Sequence, residues 1–469
     1  VAKNNVYPER LAITLDVDRS YVVDFYRNIF QKFPSARILE YDHHLCHAAN
    51  AFYGSGYIES YILTFDGRGD LQSGVIWKAS QLEGIKRVKT FCELKSLGFL
   101  YSQVTALLGY QPHRHEGKVT GLAAFGKKTP LCDELANLIW FKNGEINVSK
   151  NFMPFNKPLK TKHLDTMCFP YSKNDIAFAV QHVLENIVLS IISYYLPKGV
   201  RLAVSGGVFG NVKLNQKIRE QGHVSEMFIF PEMGDGGISY GAVCLAQVDN
   251  GYTPKKLRDM YLGPQYSEYQ TEYRFQKLKK TQYDNADNLI NEVARRINLG
   301  EIIGLFQGRI EYGPRALGAR SLLFKGDSRE LNLVVNKRLN RTEFMPFAPV
   351  CLSEDAPYLF KDYNPLDKNL EYMTTCYTCT DLMVKLCPAV VHVDGTARPQ
   401  VIDKNHPLTL YFKILERCKA YYGLKALVNT SFNNHEEPIV ATQVDALKSL
   451  EKNNCDCVVM DNLMFYEIE

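Results

Sequence analysis

Short apolar segments of this chain repeatedly end in turns rich in Gly, Asp and Asn and are followed by stretches with helical spacing. The clearest cases are Tyr57–Asp66 before GRGD, Val200–Val204 before SGG, and Glu226–Phe230 before PEMGDGG. Strands that alternate with helices favour an α/β fold, in which polar side chains at strand ends gather at one edge of a sheet. The sequence therefore predicts an α/β protein whose chemistry lies at these strand ends.

The turn-rich stretch 250–267 separates this first region from a second one in which strands and helices also alternate. We therefore predict one domain over 1–265 and another over 266–469, both of ordinary domain size. The net charge of +4 arises from 55 basic and 51 acidic residues, a balance that indicates neither a nucleic-acid surface nor a membrane surface. The 12 cysteines are scattered and the first residues are polar, so we expect reduced thiols and a cytoplasmic location.

The segment DHHLCH at 42–47 is the densest group of chemically active side chains. His43 and His47 are four residues apart and share one face of a predicted helix, where two imidazoles can bind one metal ion. His44 with His47 is an alternative pair, and solvated or capping histidines are a third interpretation. Asp66 at the end of its strand is a candidate third ligand, although an Asp-Gly pair is also typical of a hairpin turn.

Two glycine-rich turns follow the later strands of the first region. Gly206 and Gly207 would let the backbone approach a phosphate at a helix N-terminus, and a plain tight turn explains them equally well. Asp235 in PEMGDGG is a candidate fourth metal ligand, a nucleotide contact, or an N-cap aspartate.

In the second region, GRIEYGPRALGAR at 308–320 combines glycines with Arg309, Arg315 and Arg320. Guanidinium groups bind oxyanions in pairs, so this segment predicts a phosphate or carboxylate pocket, with a solvated basic loop as the alternative. The polar strings HVDGTAR at 392–398 and NTSFN at 429–433 suit a small polar ligand. The CxxC pair in this region has no second pair to complete a zinc site, which favours free thiols.

Taken together and in this order, HHLCHAANAFYGSG, LTFDGRGD, SGGVFGN, MGDGG, GRIEYGPRALGARS, PAVVHVDGTARPQ and NTSFNNHEEPIV resemble the O-carbamoyltransferase family of antibiotic and nodulation-factor biosynthesis. The resemblance covers nearly the whole chain from about Ile38. It implies an actin-like ATPase-type (Kae1-like) domain over 1–265, incomplete at its N-terminus, followed by a YrdC-like α/β domain over 266–469.

The resemblance also implies an activity. The second domain would form carbamoyl-adenylate from carbamoyl phosphate and ATP, and the first would transfer the carbamoyl group to a hydroxyl of a small metabolite or sugar. The implied cofactors are ATP and a divalent metal, with Fe(II) as the first choice and Mg(II) accompanying ATP. The expected partners are carbamoyl phosphate and a small hydroxylated acceptor, with a homodimer as an option, and neither nucleic acid nor a membrane.

The family motifs assign roles to particular positions of this chain. They place the metal on His43, His47, Asp66 and Asp235, and they place Arg315 and Arg398 in the carbamoyl phosphate and ATP pocket as catalytic residues. The predicted nucleotide and phosphate contacts are Gly207, Asn211, Arg309, Arg341, Asn429 and Ser431.

Two departures from the family pattern and three rival functions remain. Met345 stands where the family often has an anion-binding arginine, which Arg341 or Arg338 would replace, and the family's N-terminal segment with its histidine base precedes the start of this sequence. The rivals are a non-catalytic nucleotide-binding homologue, a threonylcarbamoyl-type tRNA-modifying enzyme, which the near-neutral charge disfavours, and a metalloprotease, which would need the glutamate of HExxH.

Overall fold

The protein is described here by a computed structural model. The structure describes residues 28–154, 161–266, 277–340 and 346–467, together with the backbone of a short strand at 10–13. The chain divides into two compact units, which we call unit 1 (1–119 and 127–258) and unit 2 (120–126 and 259–469).

Unit 1 contains both strands and helices. The helix Glu116–Ala123 is given with them, although its last residues belong to unit 2. The strands described are β1 (Arg10–Ile13), β2 (Arg37–Glu40), β3 (Glu59–Gly69), β4 (Gln72–Ser80), β5 (Gly84–Cys92), β6 (Ile139–Lys142), β7 (Glu145–Val148), β8 (Arg201–Ser205) and β9 (Glu226–Ile229). The helices described are α1 (His43–Ser55), α2 (Leu97–Leu107), α3 (Glu116–Ala123), α4 (Leu131–Ala136), α5 (Lys162–Cys168), α6 (Lys173–Tyr195), α7 (Val212–Glu220) and α8 (Ile238–Asp249).

Within the described part of unit 1, the main sheet has five strands in the order β5-β4-β3-β8-β9. The strands β3, β8 and β9 run parallel, whereas β3, β4 and β5 pair antiparallel. The carboxyl ends of three parallel strands therefore meet at one edge of this sheet, which is where α/β folds place ligands.

Helix α6 is long and apolar enough, by length and composition alone, to cross a membrane. However, 61% of its most apolar stretch is buried inside the structure. Its buried side chains, such as Val180, Val188 and Ile191, belong to the apolar core. The burial pattern is that of a core helix.

Unit 2 is built around a larger mixed sheet. Its described strands are β10 (Leu278–Gln282), β11 (Ile303–Phe306), β12 (Arg320–Phe324), β13 (Ala348–Leu352), β14 (Tyr377–Thr378), β15 (Thr396–Ala397), β16 (Gln400–Ile402), β17 (Ala426–Ser431), β18 (Cys457–Met460) and β19 (Leu463–Glu467). Its described helices are α9 (Ala286–Asn298), α10 (Glu330–Arg338), α11 (Ala356–Leu359), α12 (Asp381–Leu386), α13 (Thr409–Tyr422) and α14 (Gln443–Glu451).

Among the described residues of unit 2, eight strands form one sheet in the order β10-β19-β18-β11-β12-β17-β13-β16. Its central strands are buried on both faces, as the fully buried β11, β12 and β13 show. Both units thus combine sheets with helices, and the predicted α/β fold class is confirmed.

Candidate metal centre

Helix α1 presents the histidines, and acidic side chains fix where it begins. The Oδ1 of Asp42 accepts a hydrogen bond from the Leu45 amide at 2.8 Å, which caps the helix, and the Oδ2 of Asp70 accepts one from the His43 amide at 2.7 Å. The helix packs closely on α8, because a Cβ built on Gly241 would lie only 1.9 Å from the Cys46 carbonyl oxygen. The first turn of α1, with His43 and His47, is therefore held on both sides.

Asp66 lies where the ladder between β3 and β4 is interrupted. The register shifts between Phe65 and Gly69, and irregularities of this kind re-aim side chains near functional sites. The hairpin turn is at Asp70 and Leu71, both with positive φ, and not at the Asp66–Gly67 pair that was the alternative explanation of Asp66. The Asp-Gly pair is therefore part of the strand, and the Asp66 carboxylate is available to face α1.

The structure brings together the four side chains that the sequence proposed as metal ligands. The Nε2 of His47 lies 3.1 Å from the Asp66 Oδ2 and 3.7 Å from the Asp235 Oδ1. The Nε2 of His43 lies 3.6 Å and 3.7 Å from the same two oxygens. Because metal–ligand bonds of about 2.0–2.2 Å leave two ligands of one ion at most about 4.4 Å apart, these four distances suit a shared cation.

His44 is excluded from this group by its own hydrogen bonds. Its Nδ1 lies 3.0 Å from the Thr64 Oγ1 and its Nε2 lies 3.2 Å from the Gln72 carbonyl oxygen, so both ring nitrogens are engaged. Burial, together with the neighbouring His47 and His43, lowers the pKa of His44 to about 4. The ambiguity between the two histidine pairs is thereby resolved in favour of His43 and His47.

The imidazoles and carboxylates of the cluster shift one another's pKa values. Burial alone would lower the pKa of His47, but the carboxylates of Asp235 and Asp66 outweigh it and raise that pKa to about 9. Burial would raise the pKa of Asp66, but the imidazoles of His43 and His47 more than offset it and hold the pKa well below its ordinary value. The cluster is therefore a site that attracts positive charge.

The buried imidazole of His43 supplies a direct test of whether these residues fit a metal. His43 is fully buried, yet neither of its ring nitrogens has a hydrogen-bond partner. Leaving a buried polar group unpaired costs about 1–3 kcal/mol, and coordination of a cation by its Nε2 would remove part of that cost. A set of two imidazoles and two carboxylates is also one that divalent transition metals accept.

The cluster is closed on one side and open on the other. Both imidazoles are fully buried and the Asp66 side chain is 16% exposed, whereas the Asp235 side chain is 71% exposed. Asp235 is the first residue of the short 3₁₀ turn Asp235–Gly237 after β9, and the N-cap position of this turn is Gly234 and not the aspartate. A ligand would therefore reach this cluster from the side of Asp235.

The glycine-rich turn after β8 approaches the same cluster. Gly206 has a φ of +105°, and a Cβ built on it would lie 2.2 Å from the Phe65 carbonyl oxygen, so a side chain cannot be accommodated. A Cβ on the exposed Gly207 would lie 3.0 Å from the Asp66 Oδ1. The backbone at Gly207 is thus adjacent to the metal cluster.

Asn211, predicted to contact a nucleotide, forms hydrogen bonds within unit 1. Its Oδ1 caps α7 by accepting from the Leu214 amide at 3.0 Å, and its Nδ2 donates to the Gln181 Oε1 at 2.7 Å. The side chain is buried. The structure therefore gives it a helix-capping role, and its nucleotide contact stays a prediction.

In unit 2, the buried Glu311 organises the segment that the sequence singled out for its arginines. Its Oε1 accepts hydrogen bonds from the backbone amides of Leu317 at 2.9 Å, Ala319 at 2.7 Å and Arg320 at 3.1 Å. The Oγ of Ser321 accepts from the Gly318 amide at 2.9 Å. Since the amides of 317–320 are all used in this way, an oxyanion cannot bind to them.

The carbonyl oxygens of the same loop are also held by side chains. Asn429 donates to Ala316 at 3.1 Å, Gln400 and Tyr261 donate to Leu317 at 2.9 Å and 2.8 Å, and Gln307 donates to Gly318 at 2.9 Å. We call 316–320, with its amides and carbonyls fixed in this way, the clamped loop. Asn429 was predicted to contact the nucleotide, and the structure shows its amide group supporting this loop.

The arginines near the clamped loop differ in their surroundings. The fully buried Arg320 donates to the carbonyls of Gln307 and Ala319 and lies 3.7 Å above the Phe306 ring, so it is a core residue. Arg309 is exposed and donates to the Gly263 carbonyl at 2.7 Å. The three-arginine pocket proposed from the sequence is therefore wrong for Arg320.

The remaining predicted residues of unit 2 are placed as follows. Arg315 directly precedes the clamped loop, Arg398 lies between β15 and β16, and Ser431 ends β17; all three are half-buried. Arg341 and Met345 lie outside the described residues. Arg338, the alternative to Arg341, forms an ion pair with Asp456 at 2.8 Å.

The cysteines are free thiols, as predicted. All twelve lie among the described residues and none is in a disulfide bond, and all but Cys92 are buried. Among the described residues, His43, His47, Asp66 and Asp235 form the group of histidine, cysteine and acidic side chains whose ligand atoms converge, all within 4.8 Å of one another. The CxxC pair forms no comparable group in the described part of the chain.

Comparison with known families identifies the chain. Residues 3–244 match the family model described as carbamoyltransferase N-terminus, and residues 294–467 match the model described as carbamoyltransferase C-terminus. The chain belongs to the carbamoyltransferase family. The matches cover both units, in the order that carbamoyltransferases have.

Several proteins resemble this carbamoyltransferase. An uncharacterized protein of Methanocaldococcus jannaschii is 33% identical over 90% of this chain and 73% of its own length. Nodulation protein NolNO of Sinorhizobium fredii is 32% identical over 92% of this chain and 64% of its own length. The crystal structure of full-length HypF in its phosphate- and nucleotide-bound form is 18% identical, covers 40% of this chain and 22% of HypF, and has a TM-score of 0.28.

Three residues that hold parts of the site in place were missed from the sequence: Ser205, Asp70 and Glu311. Ser205 directly precedes the glycines of SGG. Its position at the end of an apolar strand could have marked it in the sequence as a candidate residue of the site. Asp70 in GRGD and Glu311 in GRIEYGPRALGAR lie inside segments that had been noted. The role of Ser205 depends on a residue 158 positions away, and that of Asp70 on one 27 positions away, whereas Glu311 acts within its own segment.

Proposed function

We propose that this member of the carbamoyltransferase family is an ATP-dependent O-carbamoyltransferase. Unit 2 forms carbamoyl-adenylate from carbamoyl phosphate and ATP, and unit 1 transfers the carbamoyl group to a hydroxyl of a small metabolite or sugar. The observation that carries the proposal is the convergence of His43, His47, Asp66 and Asp235 in a chain that matches both halves of the family. ATP, carbamoyl phosphate, the acceptor and a cytoplasmic location are parts of the proposal.

Unit 1 supplies a cation site whose ligands are two buried imidazoles and two carboxylates. A divalent metal, with Fe(II) as the first choice, would be held by His43, His47, Asp66 and Asp235 and would supply Lewis-acid polarisation of an oxygen atom. The exposed Asp235 side leaves room for substrate to approach. The backbone at Gly207, next to Asp66, binds a phosphate group of the adenylate in this proposal.

Unit 2 supplies positive charge on a rigid support. Arg315 directly precedes the clamped loop, whose backbone is bonded to Glu311, Asn429 and Gln400, so its side chain stands at the start of a fixed segment. Arg315 and Arg398 neutralise the phosphate groups of ATP and carbamoyl phosphate in this proposal. Water takes up the phosphoryl group of carbamoyl phosphate, which gives inorganic phosphate and carbamate. A carbamate oxygen then attacks the α-phosphorus of ATP, the bond to pyrophosphate breaks, and AMP becomes bonded to the carbamoyl oxygen.

Release of pyrophosphate tests the proposal. Purified protein incubated with ATP, Mg(II) and carbamoyl phosphate should release pyrophosphate and inorganic phosphate in equal amounts, and omission of carbamoyl phosphate should stop both. Arg398→Ala should abolish the release of pyrophosphate. Without nucleotide, this variant should unfold at the same denaturant concentration as the unchanged protein. Unchanged release by Arg398→Ala would remove Arg398 from the pocket.

The same assay separates the rival function. A non-catalytic homologue would bind ATP, detectable by calorimetry, and release no pyrophosphate at any carbamoyl phosphate concentration. Mass spectrometry of products formed with a panel of hydroxylated acceptors would then identify the substrate class, since carbamoylation adds one carbamoyl group to the acceptor. An unmodified panel together with carbamoyl-adenylate formation would show that unit 2 is active and that transfer is absent.

A further inference from the structure

We propose that Ser205 is a positioning residue of the metal centre, whose hydroxyl holds His47 in the tautomer that turns the Nε2 lone pair towards Asp66 and Asp235. The inference rests on the metal site of the proposed function and adds a residue to it. Ser205 lies at the end of β8, directly before the obligatory glycine Gly206.

The hydrogen bonds around Ser205 determine which atom carries the proton. The Oγ of Ser205 lies 3.0 Å from the His47 Nδ1 and 3.4 Å from the Met233 carbonyl oxygen. When the serine proton is directed to the Met233 carbonyl, which can only accept, the Oγ of Ser205 is left to accept from the His47 Nδ1. The Nδ1 of His47 therefore carries a proton, and its Nε2 is the nitrogen that can bind a cation.

Burial makes this arrangement specific. Ser205 and His47 are both fully buried, so water cannot replace the hydroxyl as a partner of the Nδ1–H. The Met233 carbonyl is fixed in turn, because it also accepts from the Gly206 amide at 2.7 Å. A partner of this kind orients a metal-binding imidazole and sets its tautomer.

The neighbouring strand β3 contains a second hydroxyl–imidazole pair, Thr64 with His44, in which the hydrogen bond runs in the opposite direction. Thr64 on β3 is the direct register partner of Ser205 on β8, and its Oγ1 lies 3.0 Å from the Nδ1 of His44. The Nε2 of His44 faces the Gln72 carbonyl oxygen, to which it must donate, so its Nδ1 accepts. The Thr64 hydroxyl proton is therefore directed to the His44 Nδ1 and not to the Val75 carbonyl oxygen 3.3 Å from its Oγ1, whereas the Ser205 proton is directed to Met233 in this inference. The two hydroxyl–imidazole pairs fix opposite tautomers, and of these two histidines His47 keeps a nitrogen for a cation.

This symmetry provides a control for the experiment. Metal-stripped full-length protein, Ser205→Ala and Thr64→Val would each be titrated with Co(II), whose absorption bands report binding without any enzymatic assay. Ser205→Ala should weaken Co(II) binding about 10- to 100-fold, as loss of an outer partner of a metal-binding histidine does. Thr64→Val, which removes a hydroxyl from a histidine that does not bind metal, should change the affinity by less than about threefold.

The outcomes separate this inference from the proposed metal site. Failure of the unchanged protein to bind Co(II) would overturn the metal site and the role of Ser205 together. Binding by the unchanged protein, with equal affinities in Ser205→Ala, would overturn the role of Ser205 alone. Equal losses in Ser205→Ala and Thr64→Val would also overturn it, because they would show a general disturbance of the two strands.

Two further measurements cover the case in which Ser205→Ala does not fold. Ser205→Thr keeps the hydroxyl and should retain the affinity of the unchanged protein. In the Zn(II)-loaded unchanged protein, long-range ¹H–¹⁵N NMR of the histidine rings should show His47 protonated at Nδ1 and metal-bound at Nε2. Metal bound at the Nδ1 would contradict the inference.

Discussion

The cluster of His43, His47, Asp66 and Asp235 in unit 1 and the clamped loop of unit 2 both contain polar side chains. They differ in whether these side chains converge on one point or bind the protein's own backbone. In the cluster, the buried His43 has no hydrogen-bond partner, and four ligand atoms converge with one carboxylate open to solvent. In the clamped loop, the polar side chains of Glu311, Asn429 and Gln400 bind the protein's own backbone. From the sequence, Asn429 was a candidate ligand contact, as were the four residues of the cluster.

The difference shows how to distinguish a side chain that binds a ligand from one that supports the structure. Buried polar groups are normally hydrogen-bonded, so a convergent set that leaves an imidazole unpaired indicates a missing partner. The amide nitrogen of Asn429 lies within bonding distance of three protein acceptors and is committed to the structure, whereas its buried Oδ1 has no hydrogen-bond partner among the described residues. The predictions below test this distinction, in order of decreasing effect.

The largest effect is expected for His43. We expect His43→Ala to weaken divalent metal binding by more than about 100-fold, since loss of a ligand should exceed the loss caused by an outer partner. The measurement is Co(II) titration of metal-stripped protein. His44→Asn is the control and should bind Co(II) almost as the unchanged protein does, and a loss as large as that of His43→Ala would contradict the geometry.

The second prediction concerns the stability of the clamped loop. Glu311→Ala removes the acceptor for three buried amides and should lower the free energy of unfolding by about 3 kcal/mol or more. Glu311→Gln keeps an oxygen acceptor and should cost about 1 kcal/mol or less. Denaturant unfolding followed by circular dichroism gives both values, and hydrogen exchange at Leu317, Ala319 and Arg320 should quicken only in Glu311→Ala. Equal costs in the two variants would contradict this role.

Glu311 should also make stability depend on pH. Burial raises the pKa of Glu311, and its hydrogen bonds to backbone amides offset this rise only in part. A carboxyl group with a raised pKa binds its proton more tightly when folded, so its contribution is complete below the ordinary value of 4.5 and is lost as the pH rises through the raised value. The stability of the unchanged protein relative to Glu311→Gln should therefore fall across that window. A difference independent of pH would show that the carboxyl does not titrate there.

The smallest effect is expected for Arg309. Its exposed guanidinium donates to backbone carbonyls at Leu262 and Gly263, so Arg309→Ala should leave ATP-dependent pyrophosphate release almost unchanged. Arg315→Ala, measured in parallel, should lose most of it. A comparable loss in Arg309→Ala would restore Arg309 as a phosphate contact, as the sequence suggested.

The sequence predicted features that depend on local patterns. Helix α1 was expected from His43 to Tyr53 and is observed over His43–Ser55, because the Asp42 cap and the helical spacing are local signals. The Asp66–Gly67 pair, for which a hairpin turn was the alternative explanation, lies inside β3, and the turn is at Asp70 and Leu71.

Contacts between distant segments could not be predicted in this way. The role of Ser205 depends on His47, 158 positions away in the chain. The support that Asn429 gives to Ala316 spans 113 positions. Arg320 resembled a ligand-binding arginine, but burial against Phe306 and backbone carbonyls makes it part of the core.

The exposure of Asp235 determines how quickly an ion can be exchanged. Three of the four converging side chains lie on a helix or a strand with little or no contact with solvent, whereas Asp235 lies on a short turn with 71% of its side chain exposed. A chelator would reach a bound cation past this one carboxylate. The residence time of the metal should therefore depend most strongly on Asp235, whereas the choice of metal should depend on the two buried imidazoles.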